Sequence, residues 1–124
     1  MTSSPQVELV LAWHAALNAS DLDRLLALSA TDVEVGGPRG SGRGSDLLRD
    51  WAVRAGVRME PGRVVDGDGV VVVEQSALWK SADGALTEPQ TIATLFRVLD
   101  GRVSSVIRYD GLASALQAAG LKSA

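Results

Sequence analysis

Three side chains in this 124-residue chain have the type and placement to move a proton or hold a negative charge: His14, Arg108 and Asp110. His14 is the single histidine. Buried on an apolar helix face it stays neutral, because desolvation disfavours imidazolium, and neutral imidazole can abstract a proton. The other reading of His14 is a packed imidazole held in the core by one hydrogen bond. Arg108 and Asp110 stand two residues apart in a strand-like segment, so they share one sheet face. Such a pair could polarise a substrate oxygen and handle a proton, or it could be a structural ion pair. Trp13, Trp51 and Trp79 make up most of the aromatic content, beside one tyrosine and one phenylalanine. Each can bury ~150–250 Å² and brings one indole donor. A cleft lined by them suits a flat apolar ligand, and simple core filling is the competing reading.

The elements that must position these groups can be read from periodicity. Ser4 as N-cap and Pro5 at the first helical position open a helix, and Glu8 favours its dipole. Val7, Val10, Leu11, His14 and Leu17 recur at helical spacing on its apolar face. Ser20 with Asp23 three residues on is a capping-box pattern for a second helix that buries Leu22, Leu25 and Leu26. Val33 and Val35 alternate with Asp32 and Glu34 in a short strand, which leaves Glu34 outside the core. A loop from Gly36 to Gly44 leads to a third helix from Ser45, with Leu47, Leu48, Trp51 and Ala55 on its buried side and Gly56 as its stop. The loop matches neither GxGxxG nor GxxxxGK[ST], so phosphate binding is disfavoured. A lid over a cavity mouth and a plain connector are the remaining readings.

From Val57 onward the period changes to two. Strands are predicted at about 57–65, 69–80, 88–99 and 102–110. Asp66-Gly67-Asp68-Gly69, Asp83-Gly84 and Asp100-Gly101 separate them. Asp-Gly between alternating apolar runs is a strong hairpin signal, since glycine accepts positive φ without steric cost. Three such turns predict an antiparallel meander, with Pro61 at a bulge or edge. Val71, Val73, Gln75, Ala77 and Trp79 form the inward face of one strand, opposite Glu74, Ser76 and Lys80. Tyr109 falls on the opposite face from Arg108 and is placed at a subunit contact. Leu112, Leu116 and Ala119 form a C-terminal helix stopped at Gly120. Helices first and a curled sheet afterwards predict an α+β domain with a cavity between the layers.

Composition bounds the rest. The length predicts a single domain over residues 1–124, able to bury roughly two-thirds of its unfolded surface. No apolar run reaches the ~20 residues of a membrane span, and no signal-peptide pattern opens the chain, so cytoplasmic residence away from membranes is the expectation. The absence of cysteine removes disulfides and thiolate metal sites, and one histidine cannot build a multi-histidine site. No metal and no cofactor are therefore expected. A net charge of -3 argues against nucleic acid as a partner. Arg39, Arg43, Arg49, Arg54, Arg58 and Arg63 cluster in sequence, but interleaved Asp46, Asp50 and Glu60 favour a solvated face over an anion-attracting rim.

The element order, the segment Ala15-Ala16-Leu17-Asn18-Ala19-Ser20-Asp21-Leu22-Asp23 and the hairpin from Leu95-Phe96-Arg97 to Val103 resemble the nuclear transport factor 2-like superfamily, in its SnoaL-like branch. That superfamily also holds ketosteroid isomerases, small polyketide cyclases, limonene epoxide hydrolase and scytalone dehydratase. The resemblance covers nearly the whole chain and implies a cone-shaped α+β barrel, a curved antiparallel sheet wrapped over helices around an internal pocket. It also implies a homodimer through the outer sheet face. Alignment with the ketosteroid isomerases puts Trp13 at their oxyanion-hole tyrosine, Gly37 at their aspartate base and Thr94 at their protonated aspartate donor. Glycine cannot take a proton and tryptophan cannot titrate, so isomerisation by that mechanism is not expected. The same alignment turns the Arg108–Asp110 face toward the pocket.

Two functions follow from these residues. One is binding of a small apolar molecule in a pocket lined by Trp13, Trp51, Gln75, Trp79 and Thr94. The other is a cofactor-free isomerase, cyclase, lyase or epoxide hydrolase that moves a proton through His14 or Asp110, with Arg108 stabilising negative charge. The missing base at Gly37 and donor at Thr94 favour binding.

Overall fold

The computed structural model describes residues 4–37, 40–55, 57–79, 85 and 88–121. Helix α1 spans Pro5–Asn18, α2 Leu22–Ala27, α3 Ser45–Ala55 and α4 Leu112–Ala119. Strands are β1 Ser29–Gly37, β2 Gly40–Arg43, β3 Arg58–Asp66, β4 Val70–Leu78, β5 Gln90–Leu99 and β6 Arg102–Tyr109. The six form one sheet in the order β2-β1-β6-β5-β4-β3. Every neighbouring pair is antiparallel except β1 with β6, which is parallel. The expected meander is therefore β3 to β6. Among the described residues no helix is long and apolar enough to cross a membrane.

Local chemistry explains most boundaries. The Ser4 hydroxyl accepts from the Val7 amide at 3.2 Å and Pro5 occupies the first turn, so α1 starts where the cap predicts. The expected capping box at Ser20–Asp23 is displaced by one residue. Ser20 takes a left-handed φ of 57°, which suits the turn between helices, and Asp21 caps α2 by accepting from the Arg24 amide at 3.2 Å. At the end of α1, Asn18 makes two bonds of 2.8 Å to the Met59 backbone, donating to its carbonyl and accepting from its amide. An asparagine amide so placed mimics a neighbouring strand and closes edge strand β3 against the helix. Asp100 and Gly101 both have positive φ, 53° and 74°, the arrangement of a two-residue hairpin turn. Pro61 sits at a register shift of β3, as its missing N–H requires. The Asp83-Gly84 turn, Gly56, Lys80 and Arg39 lie outside the described residues.

Two expectations change. The described part of the segment 36–44 is not an irregular loop: residues 36–37 continue β1 and 40–43 form β2, paired from Glu34↔Arg43 to Gly37↔Gly40. The reason is glycine. A Cβ on Gly36 would come within 2.5 Å of the Ser41 Cβ, so the two strands approach as closely as they do only because that atom is missing. The helices also do not all share one side of the sheet. α1, α2 and α3 cover the inner face around Trp13, Phe96, Leu48 and Val73, while α4 packs on the outer face over Val70, Val72, Ala93 and Leu95. Tyr109 packs, partly buried, against that second cluster. Glu34 lies outside the core as expected, accepting from the Ser41 and Ser105 hydroxyls at 3.3 and 3.2 Å.

The glycine pair yields a sharp contrast. Gly36→Ala is expected to cost about 1–3 kcal/mol through overpacking against β2. Gly37→Ala, whose Cβ would meet nothing nearer than 3.7 Å, is expected to stay within about 0.5 kcal/mol of the parent. Urea unfolding midpoints of the two variants check both values.

Candidate functional site

Between the inner sheet face and α3 lies a cavity of about 770 Å³. That is enough for a drug-sized ligand, since small-molecule pockets run to roughly 300–1,000 Å³. Its apolar surface comes from Trp51 and Leu47 of α3, Met59 of β3, Val35 of β1, Val106 of β6 and Trp79 just past β4. One wall is the β1–β2 hairpin, where Gly36, Gly37, Gly40 and Gly42 present backbone to the space. Ser41 of β2, Thr94 of β5 and Arg108 of β6 supply polar side chains, the last two directly opposite each other in the ladder.

Trp51 and Trp79 line this cavity as expected, and Trp13 does not. Trp13 has no exposed surface, and its indole donates to the Ser29 hydroxyl at 3.1 Å, which in turn donates to the Leu25 carbonyl at 2.9 Å. Its one donor is thereby committed inside the core. Trp13 acts on the cavity from behind, stacked on Trp51 with ring centroids 6.4 Å apart at 23° and edge-on to Phe96 at 5.2 Å. Such aromatic contacts hold the wall residue in one orientation.

His14 also faces the core. Its Nδ1 lies 2.8 Å from the Val10 carbonyl, which can only accept, so the ring proton resides on Nδ1. Nε2 is then an acceptor, filled by the Gln75 side-chain amide at 2.8 Å. Gln75 has its Oε1 left to accept from the Thr94 hydroxyl, again at 2.8 Å. Each link sets the polarity of the next, and no buried side-chain polar atom among the described residues lacks a partner. Gln75 thus sits one step behind the cavity, and only Thr94 of the three lines it. Burial lowers the His14 pKa below its ordinary 6.5, against smaller upward pulls from the Val10 carbonyl and the Glu60 charge.

Arg108 and Asp110 are not brought together in the cavity. Arg108 is half-buried, with its guanidinium carbon 5.8 Å from the centre of the Trp79 ring, a cation–π contact. Asp110 is exposed beyond the last residue of β6, because the strand alternation that would have paired them stops at Tyr109. Among the described residues no carboxylate pairs with Arg108. The arginines at 43, 49, 54, 58 and 63 are exposed, and none lines the cavity. Among the described residues no three histidine, cysteine or acidic side chains gather to hold a metal. Residue reasoning missed Met59 and assigned Leu47 only to the buried side of α3, while the resemblance had already put Gly37 at the pocket. The alternation of Val106 with Arg108 was a signal for one more wall residue, whereas nothing local marks Met59, which the Asn18 clamp places.

The family model of the SnoaL-like domain matches residues 10–106. No curated protein matches the chain. Among solved structures, an NTF2-like protein of unknown function from Burkholderia pseudomallei K96243 is 20% identical, with 93% of this chain and 97% of that one covered and a TM-score of 0.75. TerC, co-crystallized with polyporic acid, gives the same identity, coverage and score. A hypothetical protein with a ketosteroid isomerase-like fold from Catenulispora acidiphila DSM 44928, in complex with trimethylamine, is 22% identical over 93% of this chain and 94% of that one, with a TM-score of 0.72. At these identities the likeness is one of fold.

The buried neutral histidine makes stability depend on pH. Its folded pKa lies below 6.5, so the unfolded chain binds the proton more readily and acid favours unfolding. The His14 contribution is expected to be flat well above 6.5, to shrink by at most about 1.4 kcal/mol per pH unit below it, and to level off under the folded pKa. Urea unfolding across this range, compared with His14→Gln, checks it: the variant keeps a polar partner for Gln75 and loses that part of the slope.

Proposed function

The chain belongs to the SnoaL-like domain family, and on that premise we propose that its cavity binds a small, mostly apolar molecule. The observation that carries this reading is the cavity of about 770 Å³ between Trp51 and Trp79, with polar groups at only a few points. Apolar walls with few convergent polar groups are the usual make-up of a small-molecule site. Two proteins of the same fold were crystallized with small molecules, TerC with polyporic acid and the Catenulispora protein with trimethylamine, which supports small-molecule binding by this fold.

The alternative is cofactor-free isomerase, cyclase, lyase or epoxide hydrolase chemistry through His14 or Asp110 with Arg108. It would require His14 to give up its bond from Gln75, or Asp110 to reach the cavity from beyond β6. Binding needs neither change, and this supports it over catalysis. A homodimer through the part of the outer sheet face that α4 leaves uncovered belongs to the same proposal, and sedimentation velocity decides it.

The binding reading is tested by titrating the protein with 2-naphthol and following tryptophan fluorescence, since two of its three tryptophans line the cavity. Saturable binding is expected, weakened about tenfold by Trp79→Ala through loss of aromatic contact. Asp110→Asn is expected to leave affinity unchanged. Binding that Trp79→Ala and Trp51→Ala both leave intact would show that the probe sits elsewhere. A turnover that falls with His14→Gln or Asp110→Asn would establish the catalytic alternative.

A further inference from the structure

Resting on the small-molecule reading above, we propose that the ligand is a flat oxyanion, its charged oxygen held by Arg108 in the space beside Gly37. Arg108 enters the cavity from β6 among apolar neighbours that include Val106, Met59 and Trp51. Among the described residues it has no carboxylate partner, and its guanidinium lies over the Trp79 ring. A ring engages the face of a guanidinium and leaves its in-plane N–H groups available, which are the groups that bind a carboxylate or another oxyanion.

The glycine opposite makes room for that oxygen. Gly37 lines the same cavity, and a Cβ built on it would lie 3.7 Å from the Arg108 Cβ and 3.9 Å from its Nε. Both are ordinary contact distances, and Gly37 is not among the positive-φ residues. Its backbone therefore does not demand glycine, in contrast to Gly36, whose Cβ would collide with β2 at 2.5 Å. What glycine supplies at 37 is open volume over a cation. Any acidic side chain there would fill the volume and neutralise Arg108. Two other donors assigned to the pocket are committed, the Thr94 hydroxyl to Gln75 and the Trp13 indole to Ser29, and among the described lining residues Arg108 is the one cation. Recognition of an anion thus falls to Arg108.

The test compares 2-naphthoate with its neutral isostere 2-naphthamide by calorimetry on the parent protein, Arg108→Met, Gly37→Asp and Gly37→Ala. The parent is expected to prefer naphthoate about tenfold, as charge-assisted hydrogen bonds to a partly desolvated guanidinium predict. Arg108→Met should erase the preference while still binding the amide, and Gly37→Asp should erase it by pairing with Arg108. Gly37→Ala should retain the preference, which separates charge from volume, and thermal melting of each variant verifies folding. Equal binding of acid and amide by the parent, or a preference that survives in a folded Arg108→Met, overturns the oxyanion assignment and leaves the cavity reading standing. Failure of both ligands to bind the parent overturns the cavity reading and this inference together.

Discussion

The buried hydrogen-bond run from the Val10 carbonyl through His14 and Gln75 to Thr94 is the constraint around which the inner layer is organised. It crosses from α1 to β4 and on to β5, so it fixes the helix over the sheet in both position and rotation. Apolar contact alone tolerates sliding, whereas a buried polar chain tolerates none, because each unmade bond would cost about 1–3 kcal/mol. Its polarity is also determined throughout. A backbone carbonyl at one end forces the histidine tautomer, which orients the glutamine amide and commits the threonine proton. The next position on α1 uses the same logic, with Trp13 tied through Ser29 to the Leu25 carbonyl at the end of α2.

With α1 so fixed, the cavity follows. Trp13 and Phe96 fill the space directly beneath the helix, and the sheet beyond them extends past the helical cover toward the β1–β2 hairpin. The uncovered part is bounded by α3, whose Trp51 stacks on Trp13, and by a hairpin whose glycines supply no side chains to fill it. Asn18 completes the enclosure by tethering Met59 on the far edge strand. Core and cavity are thus two ends of one aromatic stack, one packed and one open.

Set beside the ketosteroid isomerases that the sequence resembles, the polar groups of this cavity are rearranged. The donor positions are a tryptophan and a threonine whose protons are both committed elsewhere in the chain. The base position is Gly37, and the charged group nearest to it in the cavity lining is the cation of Arg108. The fold is shared while the residues at the resembling positions differ, which is why fold likeness at about 20% identity carries so little about chemistry here.

Residue types and spacing alone determined the α+β class, the helix order, the Asp-Gly meander and the inward row of Val71, Val73, Gln75 and Ala77. All of these rest on interactions between near neighbours in the chain, namely caps, turns and alternation. The places of Trp51 and Trp79 in the cavity lining were legible from helix and strand phase, whereas those of Thr94 and Arg108 came from the family resemblance. Tertiary structure alone decided the rest. Trp13 and His14 share the apolar side of α1, and only their partners Ser29 and Gln75, 16 and 61 residues away, show that both are sealed behind the cavity wall. Asp110 has the strand period of Arg108 but lies past the last ladder pair, Ala93↔Tyr109, so its side chain reaches solvent. The glycines at 36–44 read as a loop because glycine disfavours strands locally, and they form a hairpin because two backbones could approach no other way. Pairing across distance is what one-dimensional spacing does not encode, and in this protein it separates the core from the site.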